Sequence, residues 1–406
     1  MKIWYDACTG KHVRYGAAIA KRLRKSGYEI IFTTREHPDT LALARIIGEN
    51  PIVVGKYSPA SLFSRLEESA NRVIQFSKLF RDNPPEIAIS HQSVELCRTA
   101  FGLGIPIILT ADTPHAKAVN RLTIPFATTL VVSEALPKRF LEKYCPDNII
   151  RFKGVDETAW IKDLKPPKNS DFKKPLIVVR EFETKAAYAL ETADLTLEIA
   201  RKLKVLGNVL LLKRYNEPGK EGFTGKEEIV DSARIVANAD LVVSAGGTIA
   251  REAALQGVPS LVISEMGRTY VNTYLARKGF PIFMIDARKV LNFAKRHLGK
   301  KVDVTAKLAH LDNPVDIIEK AVMKMQSTSK ADRKRFQNEK LKISMTDLIR
   351  RIRRAGRLAW LGHWLYEPKV AGSSPVRPTT PISRQEDECL KKHPLSMSLL
   401  RTLYVD

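Results

Sequence analysis

Short apolar runs recur along this chain at intervals that a helix would fill, and this rhythm restricts the fold more than any composition does. In the first half they fall at residues 2–7, 29–34, 51–54, 87–90, 105–110 and 129–133, with a helical stretch at 13–26. In the second half they fall at 176–179, 208–212, 241–244, 260–263 and 282–285, and the piece 233–236 reads as a helical turn ahead of the 241 run. None approaches the roughly 18 consecutive apolar residues of a membrane span. Strands separated by helix-length segments predict an α/β protein whose parallel sheets carry helices on both faces. The polar stretch 162–174, with Pro166 and Pro167, predicts a linker between a domain at 1–161 and a second at 175–326. Two such domains facing each other define a cleft, because open parallel sheets bind ligands beyond the carboxyl ends of their strands. A helix at 314–325 either closes the second domain or crosses back to the first.

Residues 242–259 carry the strongest functional signal. Leu241 to Ser244 is uncharged, as a strand covered on both faces requires. It ends at Gly246-Gly247, where backbone can approach a ligand closely, and a helix follows with Thr248, Arg251 and Glu252 in its first turns. Unpaired N–H groups and the positive dipole end of that helix suit a diphosphate or carboxylate. Glu252, one turn in, is placed to accept hydrogen bonds from sugar hydroxyls; an ordinary strand-to-helix turn is the competing reading. Arg180 follows the run 176–179, and Lys213-Arg214 follows 208–212. Cations at two strand ends converging on the glycines would neutralise a departing diphosphate. A solvated strand end is the alternative for each.

In the first half, Asp6-Ala7-Cys8-Thr9-Gly10-Lys11-His12 joins the first strand to the first helix. His12 suits a base or a donor to a diphosphate, and Lys11 supplies positive charge. Asp6 orients His12 or a sugar hydroxyl, or else serves as a helix cap. His91 follows the run 87–90, and Asp112 with His115 follows 105–110. Asp112 and His115 are candidates for an acid–base pair, with turn stabilisation as the alternative. The chain lacks a paired aspartate of the metal-binding kind, so neither a metal nor another cofactor is expected.

Residues 246–252 resemble the nucleotide-sugar site of GT-B glycosyltransferases, in particular the UDP-N-acetylglucosamine transferase of peptidoglycan synthesis. The resemblance implies that Gly246, Gly247 and Thr248 meet phosphate and that Glu252 meets ribose. Gly10-x-His12 is similar to the acceptor-side loop of the same group, Thr-Gly-Gly-His, with Lys11 replacing the second glycine. On that likeness Asp6, Thr9, Gly10, Lys11 and His91 belong to the acceptor side. Arg251 directly before Glu252, with Ala253-Ala254 after it, looks closer to an uncharacterised, mainly archaeal family of GT-B-like proteins, with UDP-N-acetylglucosamine 2-epimerases as further cousins. The likeness covers residues 1–325 and implies two Rossmann-like domains facing a cleft. The implied activity is transfer of a sugar from a UDP-linked donor to an acceptor, lipid-linked or glycan. A nucleotide-sugar 2-epimerase is the alternative, and a non-catalytic binder of nucleic acid or anionic membrane the further one.

The chain of 406 residues carries a formal charge of +23. From Ser327 onward there are 17 Lys/Arg and 8 Asp/Glu, a net of +9, which leaves +14 on the body. A body this basic attracts diphosphates, anionic headgroups or nucleic acid. Nucleic acid is not expected as the partner, because aromatic–basic interleaving and recognisable nucleic-acid motifs are missing. Peripheral membrane contact fits a lipid-linked acceptor. The four scattered cysteines and a start that runs straight into a strand predict reduced thiols in a cytoplasmic protein. The tail, 327–406, reads as foreign to the fold. Gly372-Ser373-Ser374-Pro375 back-translates to GGTTCGAGTCCC, the T-arm consensus of a transfer-RNA gene. Arg354-Ala355-Gly356 and Val376-Arg377-Pro378 admit complementary stem sequences. The 25 residues 354–378 match one transfer RNA in coding length. A basic amphipathic helix at 343–361 is the competing reading.

Overall fold

The computed structural model describes residues 1–58, 60–144, 146, 148–165, 172–182, 194–212, 224–226, 231–263 and 269–327, all within one compact unit. Its first sheet is built from β1 (Lys2–Ala7), β2 (Glu29–Glu36), β3 (Ile52–Lys56), β4 (Ile87–Ser90), β5 (Ile107–Ala111), β6 (Thr129–Ser133) and β7 (Ile149–Phe152). The second comprises β8 (Leu176–Arg180), β9 (Asn208–Leu212), β10 (Thr224–Lys226), β11 (Leu241–Ser244), β12 (Ser260–Val262) and β13 (Ile282–Met284). Every pairing is parallel, in the orders β3-β2-β1-β4-β5-β6-β7 and β10-β9-β8-β11-β12-β13. The expected pair of doubly wound parallel sheets is borne out.

Both orders reverse after their first strand, between β1 and β4 and between β8 and β11. Such switch points open a crevice beyond the carboxyl ends of the strands, because the connecting helices leave to opposite faces there. The 6–12 loop follows β1 and His91 follows β4; Arg180 ends β8 and the glycine turn follows β11. Fold alone therefore gathers the 6–12 loop with His91 at one crevice, and Arg180 with Gly246 and Gly247 at the other.

Central strands β4, β5, β6 and β11 are buried along their whole length, which is why they read as near-continuous apolar runs. Residues 233–236 lie in the helix Ser232–Asn238, as the sequence suggests. Two strands depart from expectation. β7 carries Arg151 in only four residues, and β10 is a three-residue Thr-Gly-Lys edge, so neither shows an apolar run. One apolar cluster extends from Ile3 and Tyr15 through Trp160 to Ala250, Ala254 and Leu275, so the two halves share a core.

The helix Pro314–Ser327 crosses back to the first half. Arg22 of the helix Gly10–Lys25 pairs with Asp316, and with Glu319 at 3.2 Å, while the Tyr28 hydroxyl donates to Gln326 at 2.8 Å. Ile318 and Val322 are fully buried. Pro166, Pro167 and the tail from 328, including 354–378, lie outside the described residues. No helix among the described residues is long and apolar enough to cross a membrane.

These contacts predict a sharp contrast between two truncations. Ending the chain after Ser327 should leave the urea unfolding midpoint unchanged. Ending it after residue 313 should cost several kcal/mol, since Ile318 and Val322 each stabilise by about 1.5–3 kcal/mol on burial.

Candidate active site at the junction of the two halves

Gly246 and Gly247 have φ of 129° and 91°. With ψ at −158°, Gly247 sits in a backbone region open essentially to glycine alone. A Cβ there would meet nothing within 4 Å, so the glycine answers to conformation and not to crowding. Gly247 caps the helix Thr248–Leu255 without any side-chain hydrogen bond, which leaves the first-turn N–H groups without a side-chain acceptor. Gly246 and Thr248 are half-buried.

Across the junction, Thr9 caps the helix Gly10–Lys25, accepting from the His12 N–H at 3.4 Å. The Cys8 N–H donates to His12 Nδ1 at 3.3 Å. Burial, then His91 and Lys11, hold the His12 imidazole well below its ordinary pKa. A neutral ring whose Nδ1 accepts carries its proton on Nε2, so His12 is set up as a donor and not as a base. Its ring meets His91 edge-on at 4.9 Å. Arg35, at the end of β2, donates to the Cys8 carbonyl at 3.1 Å and adds positive charge at this crevice.

Beneath His12 and the glycine turn lies a buried ionic network. Lys11 Nζ is 2.5 Å from Asp112, 2.8 Å from Asp156 and 3.9 Å from Glu157. Arg251 reaches over from the second half, with Nη2 at 2.8 Å from Glu157 and 3.4 Å from Asp112, while its Nη1 donates to Asn272 at 3.1 Å. His91 places Nδ1 2.7 Å from Thr110 Oγ1 and Nε2 3.3 Å from Asp112. Burial alone would raise the Asp112 carboxyl, but Lys11, His91 and Arg251 hold it well below the usual range. Those carboxylates in turn raise Lys11 and Arg251 despite the opposing cost of burial.

Several residues picked from sequence are placed differently from expectation. Glu252 is fully buried and faces protein: Trp160 Nε1 donates to one oxygen at 2.9 Å, Ser232 Oγ to the other at 2.8 Å, and Arg14 Nε lies at 3.5 Å. Burial raises its pKa. Asp6 is likewise fully buried, accepting from Thr33 at 2.8 Å, Ser93 at 2.5 Å and Arg72 at 2.9 Å, away from His12. Arg251 bridges the halves instead of standing free for a donor. His115 is exposed on the loop after β5, while Asp112 is committed to Lys11, His91 and Arg251. Arg180 is half-buried at the end of β8; Lys213 and Arg214 lie outside the described residues. Asp156 and Glu157 escape a search for residues after apolar strands, because β7 shows no such run. Arg14, 2.6 Å from Asp231, reads from sequence as one more solvent-facing helix cation.

Among the described residues, two sets of side chains have cation-site spacing: His91, Asp112 and Asp156, and Asp6, Cys8 and Glu95. Each encloses a cation of the protein itself. Lys11 sits against both carboxylates of the first, and Arg72 contacts Asp6 at 2.9 Å and Glu95 at 3.0 Å in the second. Cys8 stays a thiol, its pKa pushed up to about 11 by burial and by Asp6. Cys8 and Cys97 are free and buried.

A family model described as a protein of unknown function, DUF354, matches residues 1–327. An uncharacterised protein of Methanocaldococcus jannaschii is 30% identical over 336 residues, covering 78% of this chain and 96% of its own length. Among solved structures, the UDP-GlcNAc 2-epimerase of the same organism, in complex with UDP-GlcNAc and UDP, superposes with a TM-score of 0.61 at 13% identity, over 80% of this chain and 99% of that one. The Neisseria meningitidis UDP-GlcNAc 2-epimerase gives 0.59 at 14%, over 80% and 100%. Spinosyn forosaminyltransferase gives 0.54 at 13%, over 80% and 100%. These similarities establish the fold: two Rossmann-like parallel-sheet domains of the GT-B kind.

The ionic network predicts a pH signature. Asp112→Asn leaves Lys11 and Arg251 short of a carboxylate and should cost about 3–5 kcal/mol at pH 7, as breaking buried pairs does. Because the folded carboxyl sits below 3.8, its stabilisation is complete above that value and is lost as pH falls through the lower folded one. The gap between variant and wild type should narrow only below pH 3.8, as read by urea unfolding at pH 7, 4 and 3.

Proposed function

The chain belongs to the DUF354 family, and from that premise we propose that it is a GT-B-type glycosyltransferase that takes its sugar from a nucleoside-diphosphate donor, UDP-linked in the first instance. The observation that carries this reading is the glycine turn. Gly247 holds a conformation that only glycine tolerates, and the helix behind it starts without a side-chain cap. Both features present backbone N–H groups to an anion, and the turn lies at a switch point of its sheet. Gly246, Gly247 and Thr248 hold the diphosphate, and Arg180 adds charge from the neighbouring strand end.

As the bond from the anomeric carbon to the diphosphate breaks, negative charge grows on the leaving oxygen. The turn N–H groups and the Nε2–H of His12 stabilise it there. An acceptor hydroxyl, bound against the 9–12 loop and His91, attacks the same carbon. Asp112 takes its proton late in the step, since a carboxylate held so firmly ionised is a weak base. No metal enters this scheme, because ammonium and guanidinium groups already balance the acidic sets. The acceptor, lipid-linked or glycan, meets the basic body of the protein.

A second reading, nucleotide-sugar 2-epimerase, is favoured by one observation. Asp112, Asp156, Glu157, Lys11 and His91 converge in the first half, which gathers acid and base groups where an epimerase needs them without an acceptor. Product analysis separates the two: incubated with UDP-GlcNAc alone, a transferase leaves the C2 configuration intact and an epimerase inverts it.

Donor binding is testable directly. UDP at about 100 times its dissociation constant should add about 2.7 kcal/mol of stability. Gly247→Val should abolish that gain while the unliganded protein still melts cooperatively. His12→Ala should lower kcat far more than it changes KM, and His12→Gln, which keeps a donor, should recover part of the loss. Absence of a shift with any nucleoside diphosphate or nucleotide sugar overturns the donor site.

A further inference from the structure

Among the described residues, buried polar atoms without a hydrogen-bond partner occur singly on Thr99, Arg151 and Ser260, and together at the junction of the two halves. Tyr15 is fully buried and its hydroxyl is unpartnered. Glu157 is 1% exposed, and neither of its carboxylate oxygens has an aligned hydrogen bond. Arg251 Nη2 approaches one of them to 2.8 Å, an ion pair that is not aligned as a hydrogen bond. Arg251 Nε is buried and unsatisfied as well, while Arg14 Nη2 lacks an aligned bond but lies 2.6 Å from Asp231. Asp156, Tyr5, Glu157 and Asp112 are the charged or phenolic neighbours that, after burial, oppose ionisation of Tyr15, which puts its hydroxyl beside the acidic set. The ring lies 5.9 Å from that of His91 and 6.2 Å from that of Trp160.

Leaving a buried polar group unpaired is costly, so three residues in this state at one junction, Tyr15, Glu157 and Arg251, call for a common cause. The set is chemically mixed. Glu157 offers two acceptors, Arg251 Nε is a donor, and the Tyr15 hydroxyl is both. A phosphate brings acceptors only and would meet Glu157, Asp112 and Asp156. Adjacent hydroxyls of a sugar ring bring donors and acceptors together and carry no charge.

We propose that Tyr15, Glu157 and Arg251 form the subsite that recognises the hydroxyls of the donor sugar, one helix turn from the glycine turn that holds its diphosphate. This rests on the donor reading above and adds to it the part of the ligand bound at the junction. Glu157 and Tyr15 belong to the first half and Arg251 to the second, so the sugar enters as the Arg251 contact opens and replaces it with aligned hydrogen bonds.

Titration calorimetry of the full chain with UDP and with UDP-GlcNAc tests this. Wild type should bind UDP-GlcNAc more tightly than UDP. Tyr15→Phe and Glu157→Gln should each weaken UDP-GlcNAc about tenfold, as lost buried hydrogen bonds do, while changing UDP less than about twofold. Equal affinity of wild type for the two ligands overturns the subsite even if neither variant folds. Variants that weaken both ligands alike, or neither, also overturn it, and leave the diphosphate site standing. If wild type binds neither UDP nor UDP-GlcNAc, the donor reading fails and the subsite falls with it.

Discussion

Three carboxylates and two cations share the buried junction, and most of what is distinctive here follows from keeping them there. Asp112, Asp156 and Glu157 come from the first half, Lys11 from the start of its first helix, and Arg251 from the second half. Desolvating such charges is expensive, and attraction repays it only when geometry is good and remaining valences are filled. Lys11 meets two carboxylates within 2.8 Å; Arg251 meets Glu157 with poor alignment. The well-made side of the network is internal to the first half, and the badly made side spans the gap.

The motif residues show how the same side chains serve two demands. Glu252 and Arg251 are neighbours on one short helix, yet both turn toward the first half. Glu252 takes Trp160 of the first half and Ser232 of its own, and Arg251 takes Glu157 and Asp112 of the first half and Asn272 of its own. The glycine turn just ahead of them stays open, with nothing near the missing Cβ of Gly247. Anchoring thus occupies the body of the helix and leaves its first turn open. Asp6 follows a related pattern on the other side: placed at a strand end beside the crevice, it turns inward to Arg72 and Ser93 and fixes the loop that carries His12.

What sequence reveals and what it hides have a common physical origin. Strands buried on both faces read as near-continuous apolar runs, so β4, β5, β6 and β11 are legible to within a residue or two, and with them the sheets and their crevices. β7 sits toward the edge and carries Arg151, so its run is broken and the Asp156-Glu157 pair behind it passes unnoticed. Loop positions of Gly246, Gly247, Lys11, His12 and Asp112 follow from strand ends, but partner choice does not. A buried arginine such as Arg14 or Arg72 has the same letter as a solvated one, and only distant carboxylates reveal the difference. The tautomer of His12 is likewise set by one backbone N–H, that of Cys8, which no spacing rule anticipates.

The return of the helix Pro314–Ser327 to the first half bears on the order in which the protein is made. Synthesis runs from the amino end, and domains tend to fold as units while it proceeds. Here the first sheet can assemble early, but the apolar surface that Ile318 and Val322 cover stays bare until the second half has emerged. Arg22 must also wait for Asp316 and Glu319 across nearly three hundred residues, a loop closure of high entropic cost. The nascent first half therefore keeps that apolar surface uncovered while a stretch of chain as long as itself is made, and only the return of this helix completes it.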